Sequence, residues 1–212
     1  MFAPPAGRLY AIVDADVCAA AGRAPIEVAR AFLNAGARWL QLRCKDMPSG
    51  AFLDLARAVQ DDVRAAGASL IVNDRADVAA LCGAAGVHVG QTDLPAADAR
   101  TVIGDAMILG LSTHSRAQWD AALAEPISYM AIGPAFGSAT KQTGYEPVGL
   151  QIVKRASTAA SACGVPTVAI GGITLENARS VIDAGAASVA VISDLLKGEP
   201  ESRCRAFLRA LG

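Results

Sequence analysis

The chain has 212 residues, of which 53% are hydrophobic and 18% charged, with a formal net charge of −1. This composition excludes a disordered chain, and the near-neutral balance with scattered Lys and Arg excludes nucleic-acid binding through a basic face. No apolar stretch approaches the roughly 20 residues of a membrane span, Met1 is not followed by a charged and then apolar leader, and five cysteines without a C-x-x-C pair argue against structural zinc or a disulfide framework, so a cytoplasmic protein with reduced thiols is expected.

In chain order, Leu9 to Val13 is an apolar run ending at Asp14 and reads as the first strand. Ile26 to Ala35 reads as a helix, with Ile26, Ala29, Phe32 and Leu33 on one face and Gly36 as its stop. Trp39 to Arg43 is the second strand, and Ala51 to Ala66 a longer amphipathic helix stopped by Gly67. Ser69 to Val72 is the third strand, followed by a helix over Ala76 to Cys82. Val87 to Val89 is the fourth, and the next helix, Pro95 to Ile103, has its proline near the first turn, where it is tolerated. Met107 to Leu111 is the fifth, with Ser112-Thr113-His114-Ser115 leading into a helix over Arg116 to Ala124. Tyr129 to Ile132 is the sixth, followed by the longest irregular stretch, Gly133 to Gly149, and a helix over Leu150 to Ala162. Thr167 to Ile170 and Ser188 to Val191 are the seventh and eighth, with helices over Glu176 to Ala184 and Glu201 to Leu211.

Strands separated by helical patterns imply βαβ units and a parallel sheet. Eight such units in a chain of this length, with no linker, predict an α/β fold: a (β/α)8 TIM barrel forming one domain over residues 1–212. A doubly wound open sheet is the alternative, but strand one is followed by Asp14-Ala15-Asp16 and not by a Gly-rich dinucleotide loop.

In a barrel of this kind chemistry sits at the C-terminal ends of the strands. Strands three and four deliver Asp74 and Asp93 there. Two carboxylates on adjacent loops can hold a hard cation such as Mg2+; the competing reading is a pair of helix N-caps. On strand two, Gln41 and Arg43 share the face that points into the barrel, while Leu40 and Leu42 face the helices and Lys45 stands at the mouth. A buried Arg needs an anionic partner, either a phosphorylated ligand or an acid within the core. Gly171-Gly172 before a helix, and Ile192-Ser193-Asp194 after strand eight, occupy the loops that commonly bind phosphate. The stretch after strand six carries Ser138, Ala139, Thr140 and Lys141, which suit phosphate contact; the other reading is a solvated loop. His88 reads as a core histidine, and His114 as either an acid–base residue or a loop hydrogen-bonder.

Taken together, Gln41-Leu42-Arg43-Cys44-Lys45, Asn73-Asp74-Arg75, Gly86 through Asp93, Gly110 through His114, Gly133-Pro134-Ala135-Phe136, Thr140-Lys141 and Ala169 through Ile173, each after a successive strand, resemble the thiamine phosphate synthase family across nearly the whole chain. The resemblance implies a transferase that joins hydroxymethylpyrimidine diphosphate to thiazole phosphate. The products would be thiamine phosphate and pyrophosphate, formed by a dissociative step in which a pyrimidine-stabilised cation is captured by the thiazole nitrogen. It further implies that Asp74 and Asp93 ligate Mg2+. Gln41, Arg43, Lys45, Asn73 and Lys141 would hold the pyrimidine diphosphate, with Ser112 beside the reacting pyrimidine. Ser138, Ala139, Thr140, Gly172, Ile192 and Ser193 would cradle the thiazole phosphate. Arg43, Lys45, Ser112 and Lys141 would carry the catalysis. The implied partners are these small molecules, with no nucleic acid and no membrane; a homo-oligomer is allowed. Two positions depart from the family: Cys44 stands where an acid is usual, and Ser138 where Thr is common. The rival readings are a thiazole tautomerase on the same barrel, with His114 as its acid–base residue, a non-catalytic phosphate-binding barrel, and a sugar-phosphate isomerase barrel.

Overall fold

The computed structural model describes residues 7–137 and 145–212. Its strands are β1 (Leu9–Asp14), β2 (Trp39–Arg43), β3 (Ser69–Asn73), β4 (Gly86–Val89), β5 (Ile108–Thr113), β6 (Tyr129–Ile132), β7 (Thr167–Ile170) and β8 (Ser188–Val191). Each pairs in parallel with the next, and β8 closes on β1. Around them lie α1 (Ala15–Ala20), α2 (Pro25–Ala35), α3 (Ser49–Ala65), α4 (Ala76–Cys82), α5 (Ala96–Ile103), α6 (Arg116–Ala122), α7 (Gly149–Ala162), α8 (Ala178–Asp183) and α9 (Pro200–Leu211). A 3-10 turn over Ser193–Leu196 precedes α9. The expected eight-stranded (β/α)8 barrel is what the chain forms.

The barrel arises from two periodicities. Along each strand alternate side chains point in and out. Leu40 and Leu42 join the outer core between strands and helices. Tyr10, Ile12, Trp39, Ile71, Tyr129 and Val168 fill the inside. The helices match this with one apolar stripe each. In α3, Phe52, Ala56, Val59 and Val63 are buried at three- and four-residue spacing, which places them on one face. A fully buried Phe or Val of this kind stabilises the fold by about 1.5–3 kcal/mol. Pro25 opens α2 where its missing N–H costs nothing, and Gly36 ends that helix in a left-handed conformation, φ 104°, donating to the Leu33 carbonyl at 2.9 Å.

One local feature differs from the sequence reading, and another decides between two readings given for the acids. The short helix α1 was not expected. It forms because the Asp14 carboxylate accepts from the Asp16 and Val17 amides, both at 3.1 Å, and so caps a helix start immediately after β1. Asp74 and Asp93 do not cap the helices that follow them. The residues before α4 and α5 are Arg75 and Pro95, and neither makes a side-chain cap. Both acids are therefore left for other work at the barrel mouth.

Candidate active site

The C-terminal ends of the strands surround a cavity of about 120 Å³, whose lining includes Gln41, Arg43, Asn73, His88, Ser112 and Ile192. The inward alternation read for β2 thus holds for Gln41 and Arg43. At the rim beside this cavity the acid pair forms. Asp74 lies in a left-handed conformation, φ 63°, which is rare for a residue with a side chain. Its amide donates to the His88 carbonyl at 2.7 Å, tying the β3 loop to β4. Its carboxylate meets Lys45 Nζ at 2.5 Å. Gly90 lets the β4 loop fold back, so that the Asp93 carboxylate accepts from the Gly90 amide at 2.8 Å; a Cβ there would come within 2.9 Å of that same carboxylate oxygen.

Asp74 and Asp93 stand within hydrogen-bond reach of each other. Burial raises the Asp74 carboxyl above its ordinary value, and the neighbouring Asp93 raises it further, against the opposing pull of Lys45. Burial would raise Asp93 as well, but hydrogen bonds from Asp74 and the Gly90 amide, with the charge of Lys45, hold it below the ordinary value. Two carboxyl groups so arranged can share a proton or a cation. Among the described residues no cluster of three or more His, Cys, Asp or Glu could hold a metal ion. A pair of carboxylates nonetheless suits a cation that keeps most of its ligands as water or phosphate oxygen.

Arg43 has already found an acid. Its Nη1 meets Asp14 Oδ2 at 2.5 Å, in the register that sets Asp14 beside Arg43 on neighbouring strands. The core ion pair weighed from the sequence is therefore the arrangement present, with Arg43 still lining the cavity. Cys44 turns the other way into the outer core, where burial pushes its thiol up to about 12.

On the far side, the β7 loop turns through Gly171 and Gly172, both with positive φ, 98° and 64°. A Cβ on Gly172 would meet the Gly137 and Phe136 carbonyl oxygens at 2.6 and 2.7 Å. Glycine is required here by close approach as well as by backbone conformation. Asn177 fastens the turn, accepting from the Thr174 amide at 2.8 Å and donating to the Gly172 carbonyl at 3.0 Å. Asp194 locks the β7 and β8 loops together. It accepts from the Leu175 amide at 3.0 Å and pairs with Arg203 at 2.5 Å and Lys197 at 2.7 Å. Burial would raise its carboxyl, but the two cations hold it below the ordinary range. Asn177 and Asp194 were not singled out from the sequence, because a capping or bracing role leaves no pattern beyond an Asx residue near a turn.

Of the sequence-derived candidates, Gln41, Arg43, Asn73, Ser112 and Ile192 line one cavity, with Lys45, Asp74 and Asp93 at its rim. Gly172 and Ser193 lie on the β7 and β8 loops. Ser138, Ala139, Thr140 and Lys141 fall outside the described residues. His114 Nδ1 donates to the Gly133 carbonyl at 2.8 Å, and its ring stacks on Tyr145 with centroids 4.0 Å apart. A loop hydrogen bond of the kind read for it is therefore present.

Residues 9–195 match the family model described as thiamine monophosphate synthase. The thiamine-phosphate synthase of Roseiflexus castenholzii is 43% identical over 96% of this chain and 88% of its own length. That of Koribacter versatilis is 43% identical over 96% of this chain and 95% of its own. The solved structure of thiamine phosphate pyrophosphorylase from Pyrococcus furiosus superposes with a TM-score of 0.86 at 27% identity, covering 96% of this chain and 95% of that one.

Proposed function

This chain belongs to the thiamine monophosphate synthase family, and from that premise we propose that it condenses hydroxymethylpyrimidine diphosphate with thiazole phosphate, giving thiamine phosphate and pyrophosphate. The observation that carries the reading is the acid pair Asp74 and Asp93 with Lys45, set at the rim of a cavity lined by Gln41, Arg43, Asn73 and Ser112. The donor set fits Mg2+, which Asp74 and Asp93 would hold and which would supply positive charge to the diphosphate oxygens.

The chain's own residues then do three things. Arg43, Lys45 and Lys141 offset the charge that grows on the departing pyrophosphate as the carbon–oxygen bond breaks. Gln41, Asn73 and Ser112 hold the pyrimidine, whose ring spreads the positive charge left on its methylene carbon. The β7 and β8 loops, with Gly172, Ile192 and Ser193, hold the thiazole phosphate together with Ser138, Ala139 and Thr140. The thiazole nitrogen lone pair is thereby presented to that carbon, and the new carbon–nitrogen bond forms. Positioning and charge stabilisation suffice for this chemistry. A cytoplasmic setting agrees with five cysteines that are all unpaired, and among the described residues no helix is long and apolar enough to cross a membrane.

The test is pyrophosphate release by the purified protein with pyrimidine diphosphate, thiazole phosphate and Mg2+, with an EDTA control. Release that needs all three components supports the reading. Absence of release, with interconversion of thiazole carboxylate isomers in its place, replaces it by the tautomerase.

A further inference from the structure

Five polar groups inside the barrel lie in single file. Gln41 Nε2 donates to Tyr10 Oη at 2.9 Å, and Tyr10 Oη meets Tyr129 Oη at 3.0 Å. Tyr129 Oη meets His88 Nδ1 at 2.9 Å, and His88 Nε2 meets Ser112 Oγ at 2.8 Å. The file runs from one cavity-lining residue, Gln41, to another, Ser112. Space for it is built into the backbone. Gly110 stands between His88 and Tyr129 in the strand register, and a Cβ there would overlap the Tyr129 hydroxyl end and His88 Nδ1. Burial pushes both phenols above their ordinary range, and the two ring nitrogens of the buried His88 meet hydroxyls and not carboxylates, the surroundings of a neutral imidazole.

A phenol has one hydrogen to give, and a neutral imidazole has one donor and one acceptor nitrogen. With Gln41 donating into Tyr10, the order that places every hydrogen on an acceptor has Tyr10 donating to Tyr129 and Tyr129 donating to His88 Nδ1. His88 then carries its proton on Nε2 and donates it to Ser112 Oγ. The Ser112 hydrogen is left to point into the cavity.

We propose that Tyr129 and His88 are positioning residues for the reaction assigned above: with Tyr10 and Gln41 they set the direction of the file, so that Ser112 meets the first substrate as a hydrogen-bond donor suited to a ring nitrogen. The inference rests on the synthase reading for the identity of that substrate, but not for the direction of the file. The cavity-facing hydroxyl is oriented before substrate arrives, and a preorganised donor costs no reorganisation during the reaction.

Two measurements test this. The first needs no activity: nitrogen-15 NMR of the wild-type protein reads the His88 tautomer. Protonated Nε2 with unprotonated Nδ1 is expected, and the opposite tautomer overturns the proposal. The second is a double-mutant cycle on turnover of pyrimidine diphosphate and thiazole phosphate. Tyr129→Phe keeps the ring and removes one hydroxyl. It is expected to lower kcat about 10-fold with the KM for thiazole phosphate unchanged, and to have almost no further effect in a Ser112→Ala background. A Tyr129→Phe loss of equal size in both backgrounds marks a merely structural role and sinks the proposal. Tyr10→Phe, one link further back, serves as a second variant, with the same direction expected and a smaller loss. If the wild type shows no turnover, the synthase reading falls, and the tautomer still decides the direction of the file.

Discussion

The two sides of the barrel mouth are built differently. Between β2 and β4 the polar groups are charged side chains: Lys45, Asp74 and Asp93 at the rim, with Arg43 braced by Asp14 beneath them. Between β7 and β8 the exposed face is backbone, turned through Gly171 and Gly172, and the charges stand behind it as the Asp194, Arg203 and Lys197 cluster. The first side should lose the Asp93 charge and keep its fold, because the described hydrogen bonds of that carboxylate brace one loop amide, that of Gly90. The second cannot gain a methyl group without moving main chain. Side-chain charge and backbone shape are thus separable within one site, and substitutions on the two sides should be distinguishable by what they damage.

Asp93→Ala should have the largest effect. Turnover is expected to fall by at least ~1000-fold with the circular dichroism spectrum preserved; a variant of near wild-type activity would remove the acid pair from the chemistry and erase the contrast. Gly172→Ala should follow, with the opposite signature. The added Cβ meets two carbonyl oxygens in a residue with φ 64°, so stability should fall by about 1–3 kcal/mol in urea titrations, and the KM for thiazole phosphate should rise ~10-fold while that for pyrimidine diphosphate barely moves. A rise confined to the pyrimidine diphosphate would show that the glycine turn serves the wrong side. His114→Ala should matter least. It removes a stack on Tyr145 and a bond to the Gly133 carbonyl, so a stability loss of about 1 kcal/mol is expected, with turnover within ~3-fold. A near-complete loss of activity would return His114 to acid–base work.

Thiol accessibility sharpens the comparison from outside the site. Cys163 is exposed, whereas Cys18, Cys44, Cys82 and Cys204 are buried. Burial pushes the Cys44 and Cys204 thiols up to about 12 and Cys18 to about 11. A thiol reagent at pH 8 should therefore modify one cysteine of the folded protein and all five only after unfolding. Rapid reaction of Cys44 in the native state would show that the β2 end opens to solvent.

Much of this was legible in the chain. Strand and helix periods, the order of eight units and the inward face of β2 follow from which side chains avoid water, and that is a property of residue type and spacing. The acids at 74 and 93, the glycine pair after β7 and the polar face of β2 were legible for the same reason: the fold, once read, sends every strand end to one rim. What the sequence could not determine were the partners. Asp14 lies 29 residues from Arg43, and Tyr10 lies 119 residues from Tyr129. Nothing local distinguishes a tyrosine that fills a barrel from one that relays a hydrogen bond. That Asp74 and Asp93 face each other and do not cap α4 and α5, that Arg43 is already paired, and that Gly110 makes room for a file of hydroxyls was decided only when closure of the barrel brought distant strands within 3 Å, where a hydrogen bond's direction begins to matter.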